Sequence, residues 1–198
     1  MNRRDLLAGM TSALPWLRRA EAQPPALQVI HHVSASAGAN APLDAIDLSE
    51  WAFHLTSDEY VRCAPEHHGS VQAVLPDHRR VFVSVETIVG SLMSHSYIED
   101  VSSRDHMRAI SSNSQIWWAP GRLATMKVTW DLRLRPASEQ GCQLHCDILV
   151  ETADTALIAA VARSQPAASA ALQAHCVTET QNFAVDMARK ARAGLYAK

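Results

Sequence analysis

The sequence predicts an α+β fold built as one domain, and three observations predict it. Between residues 79 and 152, five runs alternate apolar and polar side chains with period two, as strands with one wet face do. Pro, Gly, Asp and Ser stand between these runs in "PDHR", "APGR" and "PASEQGC", as hairpin connections require. Beyond them the spacing becomes helical, with Leu172, Cys176, Thr180, Phe183, Ala184, Met187 and Ala191 on one sector. With 198 residues and 47% hydrophobic side chains, the chain is long enough for one substantial core.

The N-terminal stretch "MNRRDLLAGMTSALPWLRRAEAQPP" pairs Arg3 with Arg4, follows with an apolar stretch from Leu6 to Leu17, and carries Ala20-Glu21-Ala22 as a cleavage signal. That order predicts a twin-arginine export signal over residues 1–22, a domain over 23–198 and delivery of the folded protein to the periplasm. A retained amphipathic helix is the competing reading, because Arg18 and Arg19 interrupt the run. The stretch is too short and too interrupted to span a membrane.

"ALQVIHHVSA" follows as a first strand. The next segment carries helix starts, with Asp47 or Ser49 as a cap before Trp51, Phe53 and Leu55, and a second start at "TSDEYV". The five alternating runs come next; in "MKVTWDLRL", Met126, Val128, Trp130, Leu132 and Leu134 form the apolar set. One strand, some helix, a run of antiparallel strands and a long closing helix is the order of a helix-grip domain, a curved sheet wrapped around a C-terminal helix. Cys63, Cys142, Cys146 and Cys176 read as small core residues, since none has the C-x-x-C spacing of a redox pair or zinc ribbon.

A net charge of -2 without a dense basic run excludes the electrostatic footprint of a nucleic-acid binder, so small molecules are the expected partners. The oligomeric state, a homo-oligomer included, stays open at this point. Ten histidines direct attention to metal or acid-base chemistry. On the terminal helix His175 and Glu179 stand four apart, so their side chains share one face at the border of the apolar sector. This pair is either a solvated surface pair or half of a metal site. In "SLMSHSYIED", period two puts Met93, His95, Tyr97 and Glu99 on one face, while the opposite phase would turn Ser94, Ser96 and Ile98 inward. In "EHHG", His67 and His68 end the early helical segment. His68, Glu99, His175 and Glu179 together offer two imidazoles and two carboxylates, a donor set that zinc accepts.

With "SDEYVRCAPEHH", "SLMSHSYIED" and "HCVTETQNFA", the chain from about Ser57 to Ala188 resembles the phloretin hydrolase and 2,4-diacetylphloroglucinol hydrolase family. The resemblance implies a START-like helix-grip fold and a zinc enzyme cleaving the carbon-carbon bond between an acyl group and a polyhydroxylated ring. It implies His68, Glu99, His175 and Glu179 as zinc ligands, Tyr60 as a contact to a phenolic oxygen, and a small aromatic ketone as substrate. Tyr60, His95, Tyr97 and His67 are the acid-base candidates for protonating the ring carbon. Trp117, Trp118 and Trp130 are available to line an aromatic pocket. Two alternatives share the fold: a metal-free START-like binder of an apolar or aromatic molecule, and a polyketide cyclase or dehydratase.

Overall fold

The computed structural model describes residues 25–196, so the export-signal reading of residues 1–22 lies outside the described residues. Strand β1 (Gln28–Ala39) leads through a short 3-10 turn to helices α1 (Leu48–Phe53) and α2 (Ser57–Cys63). Strands β2 (His67–Val74), β3 (Arg80–Ile88), β4 (Ser91–Ser102), β5 (His106–Ala119), β6 (Arg122–Ser138) and β7 (Gly141–Thr152) follow, and helix α3 (Thr155–Arg192) closes the chain. The seven strands form one antiparallel sheet in the order β1-β7-β6-β5-β4-β3-β2, and α3 lies against it, packed most heavily on β1 and β7. This is the helix-grip arrangement expected from the sequence.

Local chemistry sets the helix starts. Asp47 accepts the Glu50 backbone N–H at the start of α1, and Thr56 and Glu59 close a reciprocal capping box on α2. Asp154 accepts from the N–H groups of Ala156 and Leu157, so α3 begins well before the apolar sector that predicted it. The expected set on β6, Met126 through Leu134, is buried throughout, as are Cys176, Thr180, Phe183, Ala184 and Met187 on α3. All four cysteines are buried free thiols. No helix among the described residues is long and apolar enough to cross a membrane.

The β3–β4 hairpin turns on two residues, Val89 at φ 54° and Gly90 at φ 72°. Such a turn needs positive φ at both positions, which glycine adopts freely and a β-branched valine does not. Val89→Asn relieves that strain, because asparagine tolerates this backbone region. We expect it to raise unfolding stability by about 1 kcal/mol in a denaturant titration.

Candidate functional site

Four ionisable side chains from three elements meet where α3 crosses β2 and β3. His67 starts β2, Glu86 sits on β3, and His175 and Glu179 are one turn apart on α3. All four are buried. Glu179 Oε2 is 3.2 Å from His67 Nε2 and 3.5 Å from His175 Nε2, and Glu86 Oε2 is 3.7 Å and 3.4 Å from the same two nitrogens. Donor atoms of His67, His175 and Glu179 all lie within 4.8 Å of one another.

The outward nitrogens of both rings are committed. His67 Nδ1 is 2.7 Å from the Tyr60 carbonyl oxygen, which can only accept, so Nδ1 carries the proton and Nε2 turns its lone pair inward. His175 Nδ1 is 3.2 Å from Glu66 Oε2, so its Nε2 also faces the cluster. The buried His67 Nε2 has no hydrogen-bond partner among the described residues. Lone pairs and carboxylates facing one another in a buried space require a positive charge between them. In the protein alone a proton supplies it. Burial acts to lower the His175 pKa, but hydrogen bonds and charge from Glu179 and Glu86 outweigh it and raise the value to about 11. Burial acts to raise the Glu86 and Glu179 carboxyls, yet hydrogen bonding and charge from His175, with His95 also beside Glu86, hold them below the ordinary range.

Of the four expected ligands the structure brings together His175 and Glu179 and separates the other two. His68 is adjacent to His67 on a strand, so it points to the opposite face, where it meets Thr87 Oγ1 at 2.7 Å. A register shift between His67 and Gly69 fixes that phase. Glu99 lies four residues beyond His95, about 13 Å further along the strand. There it forms a two-pronged contact with Arg80, at 2.8 Å and 3.2 Å, and this hydrogen bonding carries its pKa down to about 2. Arg80 also reaches Glu50 of α1 at 2.7 Å, so Glu99 anchors a helix to the sheet rather than facing the cluster.

The residues that stand in their places are His67, by sequence only an acid-base candidate, and Glu86, which is not among the ligands expected from the sequence. The signal for Glu86 was present: alternation on β3 turns Phe82, Ser84, Glu86 and Ile88 to one face, and all four are buried. One carboxylate among such neighbours needs a buried partner.

The acid-base candidates gather around the cluster. Tyr60 stacks on His67 with ring centroids 3.7 Å apart and an interplanar angle of 5°, its hydroxyl 3.4 Å from Glu86 Oε2. His95 Nε2 lies 2.7 Å from Glu86 Oε1. Tyr97 stacks against His95, and burial with the charges of Glu86 and Glu179 holds its hydroxyl protonated. A cavity of about 290 Å³ opens beside these groups, with Glu86, His95, Tyr97, His175 and Glu179 in its wall. Its remaining wall is mostly apolar and runs along α3 from Leu157 to Leu172 and across the sheet through Trp118, Trp130, Ile148 and Val150. Trp118 and Trp130 thus take the pocket role considered for them, whereas Trp117 stands 40% exposed outside it. The site is a charged cluster at one part of an otherwise apolar, elongated space.

No family model and no curated protein matches this sequence. Solved structures do. The Thermus thermophilus protein TTHA0849 superposes with a TM-score of 0.60 at 12% identity, covering 82% of this chain and 98% of that one. The Zhui aromatase/cyclase of Streptomyces sp. R1128 matches with a TM-score of 0.53 at 12% identity, over 85% of this chain and 98% of its own. The di-domain aromatase/cyclase BexL of the BE-7585A biosynthetic pathway matches with a TM-score of 0.51 at 17% identity, over 80% of this chain and 50% of its own. The chain therefore shares the helix-grip fold of these proteins.

Proposed function

We propose that this protein is a zinc-dependent hydrolase that cleaves the bond between an acyl carbon and a polyhydroxylated aromatic ring, with His67, Glu86, His175 and Glu179 as the metal ligands. The observation that carries this reading is the pair of inward-facing Nε2 atoms, each ring fixed through its other nitrogen by an oxygen acceptor, opposite two buried carboxylates. Metal-binding histidines are held in this way. A solely structural core has no use for two carboxylates and two imidazoles at such density, because burying them without full compensation destabilises the fold.

When bound, zinc supplies a Lewis acid for the acyl carbonyl and for water. The surrounding residues account for the rest. The apolar wall excludes bulk water and holds the ring and the chain attached to it. Water adds its oxygen to the acyl carbon, the carbon-carbon bond breaks, and its electron pair passes to the ring, where the phenolic oxygens delocalise it. The products are a carboxylic acid and the ring with hydrogen in place of the acyl group. Tyr97, protonated and in the cavity wall, holds the proton that the ring carbon takes up. Tyr60, tied to Glu86 and stacked on His67, stays with the ligand cluster.

The test is elemental analysis of the purified protein, with activity on acylphloroglucinols before and after chelation and products identified by mass spectrometry. We expect one equivalent of zinc and release of carboxylic acid only in its presence. Absence of tightly held metal, or cleavage that persists after stripping, overturns the reading. The likeness to aromatase/cyclases favours a second reading, in which the cavity binds or cyclises a polyketide-like ligand without metal. That reading gains if the metal-free protein binds acylphloroglucinols and leaves them intact.

Zinc must also compete with a proton. The folded-state pKa of His175, about 11, lies above the ordinary 6.5. Protonation of His175 therefore stabilises the metal-free fold fully below pH 6.5, and this contribution is lost as pH rises through about 11. Across about pH 7 to 9, zinc binding should displace roughly one proton, and its apparent affinity should rise about tenfold per pH unit. Calorimetric titration in buffers of different ionisation enthalpy measures the proton directly. An affinity independent of pH would count against His175 as a ligand.

A further inference from the structure

The sheet is irregular beside Glu86. Pairing of β4 with β5 shifts register between Ser94 and Ile98, and pairing of β5 with β6 shifts between Ser111 and Ser114. In a regular strand, residues three apart face opposite sides, but this bulge turns both Ser111 and Ser114 inward, each 0% exposed. Ser114 Oγ is 2.8 Å from His95 Nδ1 and 2.8 Å from Ser111 Oγ, and Ser111 Oγ accepts the Ser96 backbone N–H at 2.9 Å. His95 in turn reaches Glu86 Oε1 at 2.7 Å.

The serine end of this chain has a defined direction. A backbone N–H can only donate, and a hydroxyl oxygen can accept two hydrogen bonds. Ser111 Oγ accepts both the Ser96 N–H and the Ser114 hydroxyl proton, so the Ser114 oxygen is left to accept from His95 Nδ1, and the ring turns Nε2 toward Glu86 Oε1 at 2.7 Å. The two serines and His95 Nδ1 are hydrogen-bonded, His95 Nε2 lies against Glu86 Oε1 in a close contact outside hydrogen-bond geometry, and the other carboxylate oxygen, Oε2, faces His67 and His175. Buried hydrogen bonds of this kind restrict the ring to one orientation, and that orientation sets which oxygen of Glu86 lies beside His95.

We propose that the Ser111/Ser114 bulge and His95 act as a positioning clamp that holds Glu86 Oε1 and presents only Oε2 to the metal, making Glu86 a one-oxygen ligand. His95 is then a positioning residue and not the proton donor to substrate. This rests on the metal reading above, and it concerns how that site is kept in shape.

The test uses Ser114→Ala and Ser111→Ala in the full chain, with Ser49→Ala as a control; Ser49 is also a buried serine, bonded to the Ser103 carbonyl at 2.8 Å away from the site. Zinc affinity is read by competition with a chromophoric chelator, and ligand geometry by the visible absorption of the cobalt(II)-substituted protein. We expect Ser114→Ala and Ser111→Ala to weaken zinc about 10-fold or more and to change the cobalt spectrum, as loss of outer-shell partners does. Ser49→Ala should lose similar thermal stability with zinc affinity unchanged. If the wild-type protein binds zinc while both site variants keep its affinity within about twofold and leave the cobalt spectrum unchanged, the clamp is overturned and the metal reading stands. If the wild-type protein binds neither zinc nor cobalt, the metal reading falls and the clamp with it.

Discussion

His67→Ala and Glu86→Gln should each abolish tight zinc binding and the hydrolysis that depends on it, whereas His68→Ala and Glu99→Gln should leave both intact. Each of the first pair removes a donor atom aimed into the cluster. The loss in metal affinity should therefore exceed the roughly 10- to 100-fold typical of outer-shell partners. His68 faces away from the cluster toward Thr87, so its removal takes nothing from the site. Glu99→Gln breaks the charged fork with Arg80, which is part-exposed, and should cost about 1–2 kcal/mol after solvent screening. In the wild type that stabilisation is present above pH 4.5 and lost as pH falls through about 2, since the folded carboxyl is depressed relative to the ordinary value; Glu99→Gln should lack this acid limb. The four variants form one experiment: metal content and acid stability must separate along the line between the two residue pairs. Zinc retained by His67→Ala, or lost in His68→Ala, would refute the geometry.

How far the sequence reveals this site differs residue by residue. His175 and Glu179 were legible because helical spacing is strict and an i, i+4 pair has one arrangement. His67 and His68 were not separable, because neighbouring strand residues face opposite sides and a shift of one position exchanges them. A bulge at this position decided the phase, and bulges leave little trace in a pattern of apolar residues. The sequence left two phases open for β4, and the one that turns His95 and Tyr97 inward is the one found, but the sequence says nothing of where along the strand the helix crosses. The crossing point lies at His95 and Glu86, and Glu99 is beyond it. Strand β2 itself gave no alternation, since as an edge strand it buries little apart from His67. The early part of α3 was equally silent: its Ala-rich run, with Pro166 inside the helix, lacks the apolar sector that marked residues 172 to 191. The fold class, which depends on many weak signals adding up, was more legible than any single ligand.

Phe183→Ala should cost about 3–5 kcal/mol, a large part of the roughly 5–15 kcal/mol that holds a domain together. The side chain is fully buried on α3, one turn beyond Glu179. Its ring centroid lies 4.9 Å from that of Trp51 on α1, 5.9 Å from Trp130 on β6 and 6.5 Å from His67 on β2. Trp51 is fixed in turn by its indole N–H, which donates to Asp186 at 2.9 Å, so the aromatic contact ties α1, the sheet and α3 at one point. The same residue should matter for the metal although it offers no donor atom. His67 is stacked on Tyr60 on one side, and Phe183 lies roughly parallel to it at 27°; removing Phe183 frees the imidazole to tilt. Denaturant unfolding with and without zinc separates the two effects, because a ligand that binds only the native state stabilises it according to its concentration relative to Kd. Phe183→Ala should lower the zinc-free stability and also shrink the added stability that zinc confers. Phe183→Leu, which refills most of the space, should recover much of the first. If zinc confers the same increment on Phe183→Ala as on the wild type, the aromatic packing supports the fold alone, and His67 is held by Tyr60 without help from α3.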